Sequence, residues 1–390
     1  SLLTYPQVFG SVYSARVAWV AAIISALGYV GFTASQLLAG AKLASATIGP
    51  LDLRTALLVM GIVAVVYTSM GGMKAVIYTD TVQWILLLVG LIFVGLPIAY
   101  HALGGLEGIR AVVEPEMLRL DNVSPVQLVN WLFAILPIWF VGMTLYQRIY
   151  ACRDEKTAKR AWFQAGLLEW PVMAFLGVAL GLLGKVAWAE GVFAEAGFPA
   201  GQAMDPEMGL PLLLSQLLPV GMMGLMMAAY FSAILSTADS CLMAASGNVT
   251  TDIVPAKGER SQRHHLLRSQ VFTLGLGAVA LLLASAMTSV LDLMLASYGF
   301  MVSGLLVPTI ALLVLARPSS TAALAAMLAG GGTTTALVLT GTGLPAGLDA
   351  NVFGIGVAFV VFVALQARDG GFARKRPSEA PETVEAADSR

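Results

Sequence analysis

The chain has 390 residues, of which 58% are hydrophobic and only 12% carry a charged side chain. A soluble domain carries about 25% charged residues, so this composition excludes an ordinary soluble enzyme or binding module. The formal net charge is -1, which gives no reason to expect a nucleic-acid partner. Apolar residues fall in blocks of about 20, the length that crosses the hydrocarbon core of a bilayer.

Ten such blocks follow one another and predict ten membrane-spanning helices within one membrane domain, residues 1–367. Helices are expected because a segment in lipid must satisfy its own backbone hydrogen bonds. The blocks are also too uniformly apolar for the alternating strands of an outer-membrane barrel. The predicted spans are 16–46, 54–71, 76–101, 126–150, 160–188, 211–249, 268–286, 289–316, 320–341 and 350–367.

Basic residues are divided unequally between the two ends of these spans. Seventeen of the 22 Lys and Arg residues fall on one side, mainly in the loops 148–160 and 257–268 and in the tail 368–390. Loops rich in Lys and Arg stay in the cytoplasm, so this side is predicted to be cytoplasmic. The protein is therefore expected to be a multi-pass protein of the inner (plasma) membrane, with a disordered cytoplasmic tail at 368–390.

Glycine and proline interrupt or bound several spans. Small residues also recur along the interior spans, as in the run 244–247, and close helix packing in lipid would explain most of them. Interrupted helices can also offer unwound backbone to a solute or an ion. The positions are Gly71, Gly72, Pro97, Pro137, Pro171, Pro219 and Pro308.

The richest polar run inside a span predicts a cation site. Ala233, Ser236 and Thr237 stand at i, i+3 and i+4 and share one helix face. One carbonyl and two hydroxyl oxygens suit a hard cation; proteins bind calcium and magnesium through oxygen, and we extend this preference to sodium. Alternatively, both hydroxyls hydrogen-bond to carbonyl oxygens one turn earlier.

Four motifs resemble the solute:sodium symporter family. SAILSTADSCLMAASGNVTTDIV at 232–254 is similar to its signature helix, and GGMKAVIYTDTVQ at 71–83 to an earlier motif. QRIYACRDEKTAKRA at 147–161 resembles the family's Gln-Arg followed by a basic loop, and TYPQVFGSVYSARV at 4–17 resembles the loop before its third core helix. The resemblance implies an all-α polytopic membrane protein with a LeuT-like inverted-repeat transporter fold. It also implies that the chain lacks the first core helices of that fold.

The same resemblance implies a sodium-coupled secondary active symporter that imports a small organic solute, with 1–367 as its membrane transport domain. Ala233, Ser236 and Thr237 match the family's sodium-binding positions. Asp80 matches an acid on the sodium path, although it could instead cap a helix or form a salt bridge. Asp239 would attract the ion or tie the inner gate. The absent helices would complete the sodium site, so the isolated chain is expected neither to bind sodium well nor to transport.

Six further polar or aromatic residues are candidates to line the solute site. Glu169 lies about 15 Å into its helix and needs a partner, a proton or a water-filled cavity, so it would suit a cationic solute or a proton relay. Ile135 stands where sugar-carrying relatives have Asn, which favours an amino acid, an organic cation or a carboxylate over a sugar. Each candidate could instead serve packing, interhelical hydrogen bonds or, for tryptophan, interface anchoring. The six are Thr33, Gln36, Trp139, Glu169, Ser297 and Tyr298.

The expected partners are the solute, sodium as the coupling ion and the lipid bilayer, with no other cofactor; the oligomeric state is not indicated. Two alternatives remain: a transporter-like membrane sensor, and a proton-coupled symporter that uses Glu169 or Asp80. An enzyme is the weakest alternative because no nucleotide loop, nucleophile elbow or metal-binding helix motif occurs.

Overall fold

A computed structural model of the chain describes residues 4–49, 51–70, 73–119, 121–255, 262–341, 343–369 and 371–373. Within these ranges all the secondary-structure elements longer than an isolated bridge are helices. Nine helical segments in the same ranges are long and apolar enough to cross a membrane. The α-helices are α1 (Tyr5–Val12), α2 (Ala15–Thr47), α3 (Leu53–Met70), α4 (Met73–Gly90), α5 (Leu96–Ala102), α6 (Gly105–Val112), α7 (Pro125–Ile135), α8 (Ile138–Val141), α9 (Met143–Tyr150), α10 (Glu155–Leu168), α11 (Ala174–Ala189), α12 (Gly209–Leu217), α13 (Val220–Gly247), α14 (Gln262–Ser285), α15 (Val290–Val314), α16 (Ser320–Thr340) and α17 (Ala350–Asp369).

Three π-helical turns occur in the part of the chain that the structure describes. Leu91–Gly95 joins α4 to α5, Glu169–Met173 joins α10 to α11, and Asn248–Ile253 extends α13. Two of them coincide with a proline: Pro171 lies inside the second, and Pro97 follows the first by two residues. Proline has no N–H and clashes with the carbonyl one turn earlier, so the local hydrogen-bond pattern must change there.

The described helices confirm the predicted all-helical membrane architecture, but the predicted span 211–249 is divided into α12 and α13 at Leu218 and Pro219. Nine of the ten predicted spans correspond to the nine long apolar segments. The tenth, 160–188, is helical but divided by the second π-turn, and its apolar half α11 has 16 residues. The predicted Gly71-Gly72 interruption lies outside the described residues. So does the tail from 374 onward, whereas Arg368 and Asp369 form the end of α17.

The chain divides into two compact units. The terminal unit comprises residues 1–25, 126–143 and 298–390, and the central unit comprises residues 26–125 and 144–297.

In the terminal unit, α15, α16 and α17 pack closely because two glycines leave room for backbone contact. A Cβ at Gly330 would lie 2.2 Å from the Ser303 carbonyl oxygen, and a Cβ at Gly354 would lie 2.8 Å from the Gly330 carbonyl oxygen. The buried Ser303 hydroxyl donates to the Gly299 carbonyl (2.6 Å), and the Thr334 hydroxyl donates to the Ser303 hydroxyl (2.7 Å). Small residues with hydroxyl bridges are a common way to join helices in lipid.

In the central unit, helix pairs also meet at small residues. Met226 of α13 fills the space beside Gly90 of α4, and Leu281 of α14 packs on Gly61 of α3. Buried leucines of α11 and α12 form much of the apolar core, together with residues of α4 and α13. This packing fixes α13, the helix that carries the predicted cation-binding face. The fully buried leucines of α11 and α12 are Leu180, Leu183, Leu212, Leu213 and Leu214.

Candidate functional site

The predicted cation-binding face lies midway along α13, where the side chains are half-buried. The Thr237 hydroxyl donates to the Ala233 carbonyl oxygen at 3.1 Å, so the alternative of a bond within the helix holds for Thr237. The Ser236 hydroxyl has no hydrogen-bond partner among the described residues. Hard cations such as calcium bind oxygen at about 2.3–2.6 Å, so two oxygens 3.1 Å apart can share one ion. The third oxygen, of Ser236, is available on the same face.

A cluster of charged and hydroxyl groups, here called the arginine cluster, adjoins this face in the central unit. It contains Thr68 of α3, Asp80 of α4, Arg148 of α9, and Asp239 and Ser240 of α13. Arg148 Nη2 donates to Asp80 Oδ2 (3.1 Å) and to Ser240 Oγ (3.0 Å). The Thr68 hydroxyl hydrogen-bonds to the Asp239 carboxylate, which is only 1% exposed. Arg148 thus joins Asp80 to Ser240, the neighbour of Asp239 on α13, while Asp239 itself pairs separately with Thr68.

The arginine cluster has an incomplete set of hydrogen bonds. Asp80 Oδ1 is buried and has no hydrogen-bond partner in the described part of the chain. A buried carboxylate oxygen without a partner is unusual, because the desolvation of the charge is then uncompensated. Asp80 thus forms the salt bridge that the sequence left as one alternative, and it keeps one oxygen that a cation could use.

Sequence reasoning did not select Arg148, Ser240 or Thr68. Arg148 stood in the quoted Gln147-Arg148 motif, and Ser240 stood beside Asp239 in the signature run, so both had a local signal. Thr68 had none, since its role depends on the packing of α3 near α13.

Three solute candidates lie in the central unit on α2 and α15. The buried Thr33 hydroxyl donates to the Tyr29 carbonyl (2.8 Å), and the buried Ser297 hydroxyl donates to the Leu293 carbonyl (2.7 Å). Half-buried Gln36 lies one helical turn beyond Thr33. A Cβ at Gly31 would lie 2.3 Å from Ser297 Oγ, so the two helices touch here. Both hydroxyls are used within their own helices, and their contact with a solute stays a prediction.

Glu169 begins the second π-turn and is exposed. The sequence offered a nearby basic partner as one interpretation, but Glu169 forms no ion pair with a described residue. The preceding helix α10 has no buried residue. The proposed contact of Glu169 with a solute or a proton stays a prediction.

Two solute candidates lie in the terminal unit. Trp139 is on the short helix α8 and is 37% exposed, and Tyr298 is half-buried in α15. α7 ends at Ile135, just before Pro137, and α8 ends before Gly142. The segment is therefore broken at the proline, as an unwound solute-binding segment would require.

Comparison with known proteins identifies the family. The model of the sodium:solute symporter family matches residues 1–330 of this chain. The chain belongs to the sodium:solute symporter family. This membership confirms the resemblance drawn from the signature helix, and it agrees with the sequence interpretation of a transporter rather than an enzyme.

Two family relatives and one solved structure show how far the likeness extends. The chain is 25% identical over 306 residues to the sodium/glucose cotransporter 1 of Oryctolagus cuniculus, covering 68% of this chain and 45% of that protein. It is 26% identical over 339 residues to the sodium/pantothenate symporter of Escherichia coli (strain K12), covering 83% of this chain and 66% of that protein. A substrate-bound, outward-open Na+-coupled sialic acid symporter matches with a TM-score of 0.71 at 20% identity, covering 95% of this chain and 78% of that one.

The structural match confirms the predicted fold class, an all-helical, LeuT-like membrane transporter fold. The chain spans about half the length of curated relatives such as the rabbit cotransporter. Family membership and the nine apolar segments also confirm that this is a multi-pass membrane protein.

Proposed function

We propose that the protein is a sodium-coupled secondary active symporter that imports a small organic solute. The observation that carries the proposal is the α13 face, where the Ala233 carbonyl and the Thr237 hydroxyl lie 3.1 Å apart. Ser236 adds a hydroxyl that has no hydrogen-bond partner among the residues that the structure describes. Sodium would bind these three neutral oxygens. Its different affinity for the outward-open and inward-open states would couple its flux to that of the solute.

The arginine cluster would be the path or gate of the coupling ion. Asp80 and Asp239 supply negative charge next to the α13 face, and Asp80 Oδ1 has no partner in the described residues. Charge in a low-dielectric site attracts a cation strongly. Arg148 holds Asp80 at 3.1 Å, so a passing ion would compete with Arg148 for the carboxylate.

The solute would be an amino acid, an organic cation or a carboxylate. A sugar is less favoured because Ile135 stands where the family resemblance places an Asn in sugar-carrying relatives. An aromatic ring such as Trp139 would attract an organic cation through its π-face. Transport would need no cofactor besides sodium. The proposed solute-lining residues are Thr33, Gln36, Trp139, Glu169, Ser297 and Tyr298.

The protein would lie in the inner (plasma) membrane with a cytoplasmic C-terminus. The support is the excess of Lys and Arg on the side that includes the loop 148–160 and the end of α17.

The coupling is tested by uptake into proteoliposomes that contain the protein expressed from its complete gene. A thermal-shift screen of amino acids, choline-like cations and carboxylates, each with sodium or potassium, first selects the solute. Ser236→Ala and Thr237→Ala should each raise the sodium concentration for half-maximal uptake at least about tenfold, the loss of one ligand worth about 1.4 kcal/mol.

Ser215→Ala is the matched control, because the Ser215 hydroxyl bonds within its own helix to Leu212 (3.0 Å). It should leave the sodium dependence unchanged. Uptake that persists at fixed pH in sodium-free buffer would contradict sodium coupling, and uptake that follows a proton gradient instead would favour the proton-coupled alternative.

A further inference from the structure

Lys42 lies near the end of α2 and is only 3% exposed. Its Nζ contacts Glu207 Oε2 at 2.5 Å, Asp205 Oδ2 at 2.6 Å and the Thr288 carbonyl oxygen at 2.6 Å. An ammonium group has three N–H donors, so each donor has an acceptor. Lys42, Asp205 and Glu207 are here called the lysine cluster.

Glu207 also holds the beginning of α15. Its Oε2 accepts the Val290 N–H and its Oε1 accepts the Leu291 N–H, both at 2.9 Å, while the Ser289 hydroxyl lies 3.3 Å from Oε1. The first N–H groups of a helix have no partner within the helix, and its N-terminus favours negative charge. One carboxylate therefore joins the end of α2 to the start of α15.

The two acids lie in the loop 190–208, which connects α11 to α12. Asp205 accepts the Glu207 N–H at 3.0 Å and begins the turn Pro206–Met208. The side chains of Asp205 and Glu207 are 36% and 26% exposed, against 4% for Lys42. Water reaches both carboxylates, so they can be rehydrated if the lysine separates from them.

A cavity of about 500 Å³ lies on the flank of this loop. It is lined by Gly177, Gly181 and Trp188 of α11 and by Met204 and Glu207 of the loop, among others. A Cβ added at either glycine would meet no atom within 4 Å. The loop is thus held by ion pairs to α2 and α15, and it has free volume beside it into which it can move.

We propose that the lysine cluster is a latch that fastens the loop 190–208 to α2 and α15 and opens during the transport cycle. The proposal rests on the proposed symport function. α2 and α15 carry the solute candidates Thr33, Gln36 and Ser297 of the central unit, so a loop bound to both helices restrains their separation. Release of Glu207 would free the start of α15 and the loop in one step.

The latch predicts that two distant segments change together, which hydrogen–deuterium exchange with mass spectrometry can measure. The protein expressed from its complete gene is compared in sodium chloride and in potassium chloride. Exchange in the loop 190–208 and at the Val290 and Leu291 amides should differ at least about threefold between the salts, in the same direction. In Glu207→Gln, both segments should exchange about tenfold faster in potassium and lose the dependence on the salt.

Three variants separate a latch from a local change of fold. Lys42→Met should behave like Glu207→Gln, whereas Lys42→Arg should restore slow exchange because it keeps the charge. Glu195→Gln alters an exposed acid of the same loop and should exchange like the parent protein.

The peptide 232–240 of α13 distinguishes the possible failures. Sodium could protect this peptide while exchange in the loop 190–208 does not depend on the salt. That result would overturn the latch, because the loop would then stay attached to α2 and α15 throughout. Opposite responses of the loop and the start of α15 would also overturn it. If sodium changes the exchange of neither the peptide 232–240 nor the loop 190–208, the proposed function itself fails. The latch then fails as a step of that function.

Discussion

The central unit contains two networks of buried charge that differ in how completely they are paired. In the lysine cluster, all three donors of Lys42 are used, and Glu207 accepts from two backbone amides as well. In the arginine cluster, Asp80 Oδ1 is buried without a partner in the described residues, and Arg148 is itself 41% exposed. Both networks join helices that are far apart in sequence.

The difference indicates two uses of charge in one membrane domain. A fully hydrogen-bonded network has no capacity for another ion and stabilises one arrangement strongly, so it suits a latch that holds one state of the transport cycle. An incompletely bonded acid retains an attractive potential and can exchange partners, so it suits an ion path. Three predictions test this contrast, in order of decreasing effect.

The largest difference should appear in stability. Lys42→Met leaves two partly exposed acids side by side with no cation between them, and it should cost about 1.5–3 kcal/mol, the value of a hydrogen bond to a charged group. Arg148→Met removes a half-exposed partner and should cost about 1 kcal/mol or less. Chemical unfolding of the detergent-solubilised protein measures both free energies.

Lys159→Met is the matched control for this comparison. Lys159 pairs with Glu155 at 2.6 Å, the same separation as in the lysine cluster, but both side chains are more than three-quarters exposed. It should leave the unfolding midpoint unchanged. Equal losses for Lys42→Met and Arg148→Met would mean that the completeness of pairing does not distinguish the two networks.

The second effect should be on the coupling ion. Asp80→Asn keeps the shape of the side chain but removes its charge, so the sodium concentration for half-maximal uptake should rise about tenfold, or about 1.4 kcal/mol. Asp121→Asn is the control: it changes an exposed acid whose Oδ2 lies 2.6 Å from Arg119 Nη2. It should leave the sodium concentration for half-maximal uptake unchanged. An unchanged sodium dependence in Asp80→Asn would remove Asp80 from the ion path.

The smallest effect should be a dependence of stability on pH. Partial burial acts to raise the pKa of Glu207, but the hydrogen bonds from Lys42, Val290 and Leu291 and the charge of Lys42 outweigh it. The pKa therefore lies below its ordinary value of 4.5. Ionised Glu207 stabilises the fold above that pH, and its contribution is lost as the pH falls through the lowered pKa.

This direction is checked by measuring the free energy of unfolding against pH for the parent protein and for Glu207→Gln. The difference between the two should be constant above about pH 5 and should shrink in more acidic buffer. Lys42 and Asp205 are the charged groups that face Glu207, and Lys185 lines the same cavity. A difference that grows on acidification would show that Glu207 is destabilised in the native state.

The membrane architecture could be predicted from the sequence because the length of an apolar block is a local property. Nine predicted spans became nine long apolar segments, and the signature run from Ser232 placed Ala233, Ser236 and Thr237 on one helix face. The division of the span 160–188 could not be predicted, since a π-turn depends on how neighbouring backbone adapts to Pro171.

The charge pairing was largely beyond sequence reasoning. Lys42 was visible only as one of five cations on the less basic side, and its partners Asp205 and Glu207 lie more than 160 residues away in a loop. Asp80 was selected by its motif, but the partner that holds it, Arg148, follows from packing of α9 near α4. Such pairs depend on the path of a loop or on helix contacts, which residue spacing along one helix does not specify.

The π-turns have a consequence for how side chains are assigned to faces along these spans. An α-helix turns by about 100° per residue, so one additional residue in a turn rotates every later side chain by about that angle. A helical wheel for α4 and α5 that ignores the turn at Leu91–Gly95 would misplace His101 by about 100° around the helix axis. The side-chain periodicity therefore changes phase inside the span, and an ungapped comparison with a relative that lacks the turn would shift every later position by about 100° around the helix axis.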